Sequence, residues 1–213
     1  MEDFPARTRY QNQEEAELYD ARRTGKYLHR IELAAFARAV ASMPREYRVL
    51  DVPCGTGRLW APLLERFASV TGCDISQDML NVCERHHSAS GKVTLKQGDA
   101  VALPFADNEF DCVFSVRFWG YPPPEVRIKA LKEMARVSKD RVALMFYVRD
   151  PAITARKKVQ FLLRPPKGPW YPVDSKRELY RLFAEAGLEI ESYTSLMPFL
   201  MESRMVIAKK VRP

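Results

Sequence analysis

The sequence predicts an α/β fold: an open, mostly parallel sheet of seven strands, with an antiparallel hairpin at one edge and helices on both faces. Two observations predict this fold. Short apolar segments alternate with amphipathic ones through residues 47–147, as in a chain of β–α units. Two further strand-like segments near the end of the chain are typical of a hairpin. A length of 213 residues suits one such domain.

Periodicity and capping residues predict the elements in chain order. Ser76 is predicted to cap a helix at 77–87, and a helix at 124–137 begins at a proline. The other predicted helices are 13–23, 27–42, 58–67 and 175–186. In the helix at 27–42, the apolar residues at helical spacing are Leu28, Ile31, Ala35 and Phe36. The predicted strands are 47–52, 69–74, 92–97, 110–116, 141–147, 189–195 and 202–210.

The glycine turn after the first strand carries the strongest functional signal. Residues 49–59, VLDVPCGTGRL, indicate a buried strand, a tight turn and the start of a helix, which brings main-chain atoms close to a ligand. Asp51 ends the strand, where a carboxylate repels a pyrophosphate and attracts an ammonium or sulfonium cation. Trp60 stands where a dinucleotide fingerprint needs a small residue, and no Gly-Lys-Ser/Thr follows as in a P-loop. The turn therefore favours a cationic nucleoside such as S-adenosylmethionine over NAD or ATP.

Acidic residues end three consecutive predicted strands. Asp74 follows the glycine turn by about 20 residues, at a position suited to hydrogen bonds with ribose hydroxyls. Asp99 follows the third strand, where a carboxylate can accept a hydrogen bond from an adenine amino group. Because the carboxyl ends of parallel strands meet at one edge, Asp51, Asp74 and Asp99 are expected on one rim of the sheet.

These segments resemble the class I S-adenosylmethionine-dependent methyltransferases, and most closely the group that includes the ubiquinone and menaquinone C-methyltransferases. The resemblance covers about residues 48–147 and rests on VLDVPCGTGRL, GCDISQDML, GDAVALPF, DNEFDCV and residues 130–137, in that order. It implies a Rossmann-like fold and S-adenosylmethionine as cofactor. The implied cofactor-binding residues are Asp51, Gly55 and Gly57 at the methionine part, Asp74 at the ribose, Asp99 and Ala100 at the adenine, and Ser115 and Val116 at the face of the sulfonium and ribose. Pro53, Cys54, Ile75 and Met79 belong to the same predicted cofactor site.

Two departures of the chain from the family pattern matter most. Pro53 stands where the family usually has glycine, so this position has no N–H to donate. Gly55 and Gly57 keep theirs, and cofactor binding is expected to survive. After the fourth strand, Gly120 and Tyr121 stand where the family often has a histidine pair, which removes an obvious general base.

Candidates for the acceptor side of the site are Arg117, Tyr121 and Tyr19. Arg117 directly follows an apolar strand at the ligand rim, where a cation suits an anionic or enolate acceptor; the alternative is a surface arginine. Tyr121, with Trp119, either stacks on an acceptor or packs beneath the N-terminal helices. Methyl transfer from a sulfonium mainly requires alignment, so the lack of a nucleophile–base set does not argue against an enzyme.

The predicted organisation is a single methyltransferase domain over residues 1–213. A helical cap (1–46) precedes a cofactor-binding core (47–147), a basic, proline-rich insertion (150–173), and a C-terminal helix with the edge hairpin (175–213). The formal net charge is +7. Within the insertion, residues 155–171 combine basic and aromatic side chains, a composition that suits an anionic membrane surface.

Three functions remain open from the sequence. The first is methyl transfer to a small-molecule or lipid-like acceptor. The second, RNA methylation, suits the charge but lacks the Asn/Asp-Pro-Pro-Tyr/Phe motif, since Ser115-Val116-Arg117-Phe118 stands in its place, so nucleic acid is the less expected partner. The third is a non-catalytic cofactor-binding subunit. The sequence does not set the oligomeric state.

Composition predicts a cytoplasmic protein, with peripheral membrane contact as an alternative. No run of about 18 apolar residues is present, and the N-terminus lacks an apolar signal segment. The four cysteines lack metal-like spacing, so no metal site is expected and the thiols are expected to be free.

Overall fold

A computed structural model describes residues 12–151, 153, 155, 175–197 and 202–211. Its centre is a seven-stranded sheet in the order β3-β2-β1-β4-β5-β7-β6. The first five strands in this order run parallel, and β7 pairs antiparallel with both β5 and β6. This confirms the predicted sheet and its edge hairpin. The strands are β1 (Val49–Asp51), β2 (Val70–Asp74), β3 (Val93–Gln97), β4 (Phe110–Ser115), β5 (Ser138–Tyr147), β6 (Leu188–Ser195) and β7 (Ser203–Lys210).

Helices cover both faces of the sheet, as predicted. They are α1 (Gln13–Arg23), α2 (Tyr27–Ala41), α3 (Ala61–Arg66), α4 (Gln77–His87), α5 (Pro124–Val137) and α6 (Lys176–Glu185). Ser76 caps α4 by accepting the Met79 N–H at 3.2 Å, and Ser175 caps α6 by accepting the Glu178 N–H at 3.1 Å. Ser76 is the cap named in the sequence analysis, and Ser175 is of the same residue type, which is preferred at this position. Within the described residues, no helix is long and apolar enough to cross a membrane.

The buried core has one layer on each side of the sheet. On one side, β-strand residues such as Val113 and Leu144 pack with α5 and α6 through Leu131 and Phe183. On the other side, Phe114 and its neighbours pack with α2, α3 and α4. Strands β1 and β4 and the second part of β5, residues 142–147, are therefore buried on both faces, which explains why these segments are mostly apolar.

The buried face of α2 differs from the predicted one. Ala35 and Phe36 are buried as expected, but Leu28 is 44% exposed and Ile31 is only partly buried. In their place His29 and Glu32 face inward. Compared with the prediction, α2 is rotated about its axis so that these two polar side chains face the interior. They can be buried because both form hydrogen bonds with Arg58, next to the glycine turn.

Local turns shorten several predicted elements. The predicted strand 47–52 pairs only over Val49–Asp51, because the Tyr47 N–H closes a turn to the Pro44 carbonyl. The predicted helix 58–67 begins at Ala61, after a turn in which the Trp60 N–H bonds to the Gly57 carbonyl. Most of the predicted insertion 150–173 lies outside the described residues.

The connections of the sheet place a cleft at its carboxyl edge. From β1 the chain adds β2 and β3 on one side, and then crosses to β4 and β5 on the other. Ligands of open α/β sheets bind at the carboxyl ends of the strands where the order reverses, which here is the boundary between β1 and β4. Asp51 and Ser115 are the last residues of these two strands.

Candidate active site

One open cleft lies at this carboxyl edge and encloses about 1080 Å³ of space that is continuous with solvent. Its walls are the glycine turn, the ends of β2 and β3, the loop after β4 and helix α1. All three predicted acceptor-side residues, Tyr19, Arg117 and Tyr121, line it. The predicted cofactor residues that line it are Asp51, Pro53, Cys54, Gly55, Asp74, Ile75, Met79, Asp99, Ala100 and Val116.

Two predicted cofactor residues lie behind the wall of the cleft. Ser115 is fully buried, and its hydroxyl has no hydrogen-bond partner among the described residues. Gly57 adopts a left-handed backbone with φ of 68° and faces α4. A Cβ atom at Gly57 would lie 2.7 Å from Cys83 Sγ and 2.8 Å from the His87 ring, so this glycine is needed for packing.

Gly55 has a different requirement. It also has a positive φ, of 54°, but a Cβ built there meets nothing within 4 Å. Since Gly55 lines the cleft, that Cβ would project toward the ligand space. The two glycines of the turn thus serve separate purposes, one open to the cleft and one against α4.

The N–H groups of Gly55 and Gly57 both have hydrogen-bond partners inside the protein. Gly55 donates to Asp74 Oδ2 at 2.8 Å, and Gly57 donates to the Cys54 carbonyl at 3.1 Å. The sequence predicted that both groups were available to a ligand; in this structure they fix the loop instead. What this part of the cleft presents to a ligand is therefore mainly carboxylate groups and main chain without a side chain, rather than N–H groups that are available as donors.

Asp74 joins the glycine turn to α4. Its Oδ1 accepts the Ser76 N–H at 3.0 Å, while Oδ2 holds Gly55. Burial raises the pKa of Asp74, and these backbone N–H groups oppose that rise. A carboxylate has about four lone-pair sites, so both oxygens keep acceptor capacity for hydroxyl groups in the cleft.

Asp51 is buried at the base of the cleft. The Trp60 indole N–H donates to its Oδ2 at 2.8 Å. Burial raises the pKa of Asp51 to about 7, an increase that the Trp60 hydrogen bond and the Arg58 charge partly offset and the Asp74 charge reinforces. Burial therefore favours the protonated form of Asp51, and a cationic ligand beside it would favour the ionised form.

Arg117 lies beside the cleft within a buried charge cluster that the sequence does not predict. One oxygen of Glu32 pairs with Arg117, and the other accepts two hydrogen bonds from Arg58, each at 3.0 Å. Burial opposes a charge on Arg117, but Tyr147 and Glu32 outweigh it and raise the Arg117 pKa, so the guanidinium stays charged. Two cations thus share one carboxylate beside the cleft.

The cap is hydrogen-bonded to the glycine turn. Asp20 accepts the Thr56 hydroxyl at 2.7 Å. His29 Nδ1 accepts the Gly25 N–H, so its Nε2 carries the proton and donates to the Arg58 carbonyl at 2.8 Å. These contacts hold Tyr19 at the cleft, whereas Tyr27, another aromatic residue of the cap, is 71% exposed.

The aromatic residues after β4 divide between the cleft and the core. Tyr121 and Phe118 line the cleft. Trp119, for which a role in the pocket was favoured over packing, is instead buried and stacks on Phe146 with ring centroids 4.4 Å apart. Sequence reasoning missed Glu32 and His29, although a usable signal was present: both lie on the face of α2 that contains Phe36.

Comparisons with known proteins agree with this geometry. A family model described as a methyltransferase domain matches residues 49–141. A demethylmenaquinone methyltransferase of Bacillus licheniformis is 31% identical over 176 residues, covering 71% of this chain and 75% of the relative. A protein of the same name from Staphylococcus aureus is 32% identical over 174 residues, covering 69% and 71%.

A solved structure shows the same fold. Magnesium protoporphyrin IX methyltransferase from Synechocystis PCC 6803, crystallised with bound SAH, superposes with a TM-score of 0.77. The match covers 96% of this chain and 98% of that one at 19% identity. The fold and the acid-lined cleft define a nucleoside-binding α/β enzyme. The chain belongs to the methyltransferase family, and it is a class I S-adenosylmethionine-dependent methyltransferase.

The residues of the cleft fit this cofactor chemically. The open space over Gly55 admits a ligand against bare main chain. Asp51 supplies a buried carboxylate for a cation, and Asp74 and Asp99 line the same cleft as acceptors. The apolar side chains of Ile75, Met79 and Val101 complete that end.

Proposed function

We propose that this methyltransferase acts on a small, lipid-like aromatic acceptor that carries an ionisable hydroxyl group, of which a demethylated quinol is the leading example. The observation that carries the proposal is the placement of Arg117 on the cleft that also holds the glycine turn and its acids. Beside Arg117 the walls are aromatic and apolar: Phe118, Tyr121 and Val126. A cation among such groups suits a ring with one ionised oxygen. The names of the two curated relatives support the same acceptor class.

Each group has a defined role in this proposal. Bound S-adenosylmethionine supplies an electrophilic methyl group on a positively charged sulfur. Asp51, once ionised, balances the cationic end of the cofactor. Arg117 favours the ionised form of the acceptor hydroxyl, which makes the ring oxygen and the adjacent ring carbons nucleophilic. Tyr19, on the cap, helps to exclude water from the cleft.

Proton removal in this proposal does not use a histidine. The three histidines are residues 29, 86 and 87, and none of them lines the cleft. His29 uses both ring nitrogens in hydrogen bonds to the main chain. The acceptor hydroxyl therefore ionises to solvent, with its pKa lowered by Arg117.

The proposal also assigns the basic insertion a supporting role. Residues 155–171 contain Arg156, Lys157 and Lys158 next to an apolar run, with Trp170 further on. Residues 156–171 lie outside the described residues, and the composition of the segment alone supports contact with an anionic membrane that holds a lipid-like acceptor. Sedimentation with vesicles of phosphatidylglycerol, compared with phosphatidylcholine, tests this role; equal binding to both would remove it.

The central experiment is methyl transfer from labelled S-adenosylmethionine to a short-chain demethylated naphthoquinol, kept reduced. Calorimetry with S-adenosylhomocysteine, and with NAD as control, first establishes that the purified protein binds the cofactor product. We expect turnover in the wild type, and a fall of about 100-fold in Arg117→Met with unchanged S-adenosylhomocysteine affinity.

Two outcomes would change the conclusion. Cofactor binding without turnover of any phenol or quinol would refute the acceptor class. Transfer to RNA but not to quinols would favour the nucleic-acid alternative.

A further inference from the structure

We propose that Glu32 is a positioning residue for methyl transfer: it holds the Arg117 guanidinium beside the cleft, and it makes that arrangement depend on the docked cap. The inference rests on the proposed function, because it assumes that Arg117 meets the acceptor. Its support is the geometry of the cluster formed by Glu32, Arg58 and Arg117.

The three members of the cluster come from three parts of the chain. Glu32 lies on α2 in the cap, Arg58 follows the glycine turn, and Arg117 follows β4. The side chains of Glu32, Arg58 and Arg117 are 3%, 5% and 16% exposed. A carboxylate shielded from water this well pairs much more strongly than a surface pair, and removing it leaves buried charge without compensation.

Arg117 needs an external partner to keep its conformation. Its φ is 66°, in the left-handed region that a non-glycine residue occupies only at an energetic cost. Among the described residues, Arg117 Nε has no hydrogen-bond partner. Among the described residues, the ion pair with Glu32 is the contact that holds the guanidinium. Glu32 therefore decides where this cation sits.

The charge balance leaves one positive charge for the cleft. Glu32 divides its carboxylate between Arg58 and Arg117, so the cluster has a net charge of about +1. Both arginines line the cleft. Replacing Glu32 with a neutral residue would increase this charge but release Arg117. If the cluster acts only through its charge, loss of Glu32 should favour an anionic acceptor. If Glu32 positions Arg117, loss of Glu32 should impair transfer to that acceptor, so an experiment can separate the two effects.

The test compares Glu32→Gln with Glu17→Gln, a matched control on the cap. Glu17 lies on α1 and pairs with Arg85 at 2.7 Å, but both side chains of that pair are about half exposed. With the naphthoquinol as acceptor, we expect kcat of Glu32→Gln to fall about 100-fold, the size expected for a misplacement of roughly 1 Å. Its affinity for S-adenosylhomocysteine should stay within about twofold, and Glu17→Gln should match the wild type. A kcat equal to or above that of the wild type would overturn the proposal.

A charge-conserving double variant covers the case in which Glu32→Gln fails to fold. Glu32→Gln with Arg58→Gln keeps the net charge of the cluster at about +1 and leaves no second cation uncompensated. If Glu32 positions Arg117, the double variant also loses kcat at saturating cofactor. If only the cluster charge matters, the double variant retains kcat, and that result would refute positioning.

A readout without turnover separates this inference from the acceptor assignment. The Nε–H resonance of Arg117, assigned by its loss in Arg117→Lys, reports whether the guanidinium is held. We expect it to shift and broaden in the folded Glu32 variants and to remain unchanged in Glu17→Gln. An unchanged resonance would refute the inference about Glu32, whereas a failure of the wild type to methylate quinols would refute only the proposed acceptor.

Discussion

The indole N–H of Trp60 donates a 2.8 Å hydrogen bond to Asp51 Oδ2, and both residues are buried beside the glycine turn. Trp60 stands where a dinucleotide-binding turn would have a small residue. Its ring also lies over Gly72 of β2, where a Cβ would come within 2.6 Å of it. One side chain thus fills that space and supplies a polar partner for the carboxylate.

The pKa of Asp51 predicts pH-dependent cofactor affinity. With a pKa of about 7, Asp51 is mostly protonated near pH 6 and mostly ionised near pH 8. A cation binds the ionised form, so affinity for S-adenosylmethionine should rise with pH, by about tenfold over this interval. Calorimetry at several pH values measures it. Asp51→Asn is the control, in which this rise should be absent; an equal rise in both proteins would contradict the assignment.

Removing the Trp60 hydrogen bond should move this dependence to higher pH. That hydrogen bond favours the ionised carboxylate, so Trp60→Phe should raise the pKa of Asp51 further. We expect a shift of about one pH unit in the affinity profile, in line with a hydrogen bond of about 1–2 kcal/mol. Trp119→Phe controls for loss of a buried indole, since Trp119 stacks on Phe146 in the core. A Trp60→Phe profile that coincides with the wild type would exclude this role.

The two glycines of the turn should respond differently to alanine. Gly57→Ala should lower the free energy of unfolding by about 2–4 kcal/mol, because its Cβ meets Cys83 and the conformation is left-handed. Gly55→Ala should lose only about 1 kcal/mol but bind S-adenosylhomocysteine far more weakly. Gly91→Ala is the control, with a φ of 62° and open space outside the cleft.

Urea unfolding and calorimetry on the three glycine variants separate these effects. Gly91→Ala should lose about as much stability as Gly55→Ala and keep its ligand affinity. Normal binding by folded Gly55→Ala would remove Gly55 from the cofactor site.

Asp74 should affect both ligand affinity and the loop. Asp74→Asn keeps the shape of the side chain but loses one acceptor oxygen and the charge, so affinity for S-adenosylhomocysteine should fall by about 1–3 kcal/mol. Asp78→Asn is a matched control in the first turn of α4, away from the cleft wall. Calorimetry that finds equal affinity in both variants would contradict the ribose assignment.

Local patterns made the sheet and one rim of the cleft predictable. Asp51 and Asp74 each end an apolar strand that directly precedes a turn, so their position follows from β–α alternation. The cluster at Glu32 could not be predicted in the same way, because its partners are 26 residues away at Arg58 and further still at Arg117. Periodicity assigns a helix face from apolar residues, and therefore pointed to Leu28 rather than to His29.

The roles of Gly55 and Gly57 show a similar limit. The sequence identifies both as residues of a tight turn, but only the packing of α4 shows that one faces His87 and the other faces open space. The prediction that the N–H groups of Gly55 and Gly57 can donate to a ligand assumed that no other part of the protein bonds to them. Asp74 and the Cys54 carbonyl engage those groups instead, through contacts that spacing alone does not specify.

The hydrogen bond between Asp20 and Thr56 has a kinetic consequence. Asp20 Oδ1 accepts the hydroxyls of both Thr24 and Thr56, so the end of α1 and the glycine turn share one acceptor atom. Because Thr56 lines the cleft, a movement of the end of α1 is passed directly to the main chain that borders the ligand space. The rate at which spent cofactor leaves the cleft is therefore expected to depend on how firmly the cap is held, as well as on the contacts of the cofactor itself.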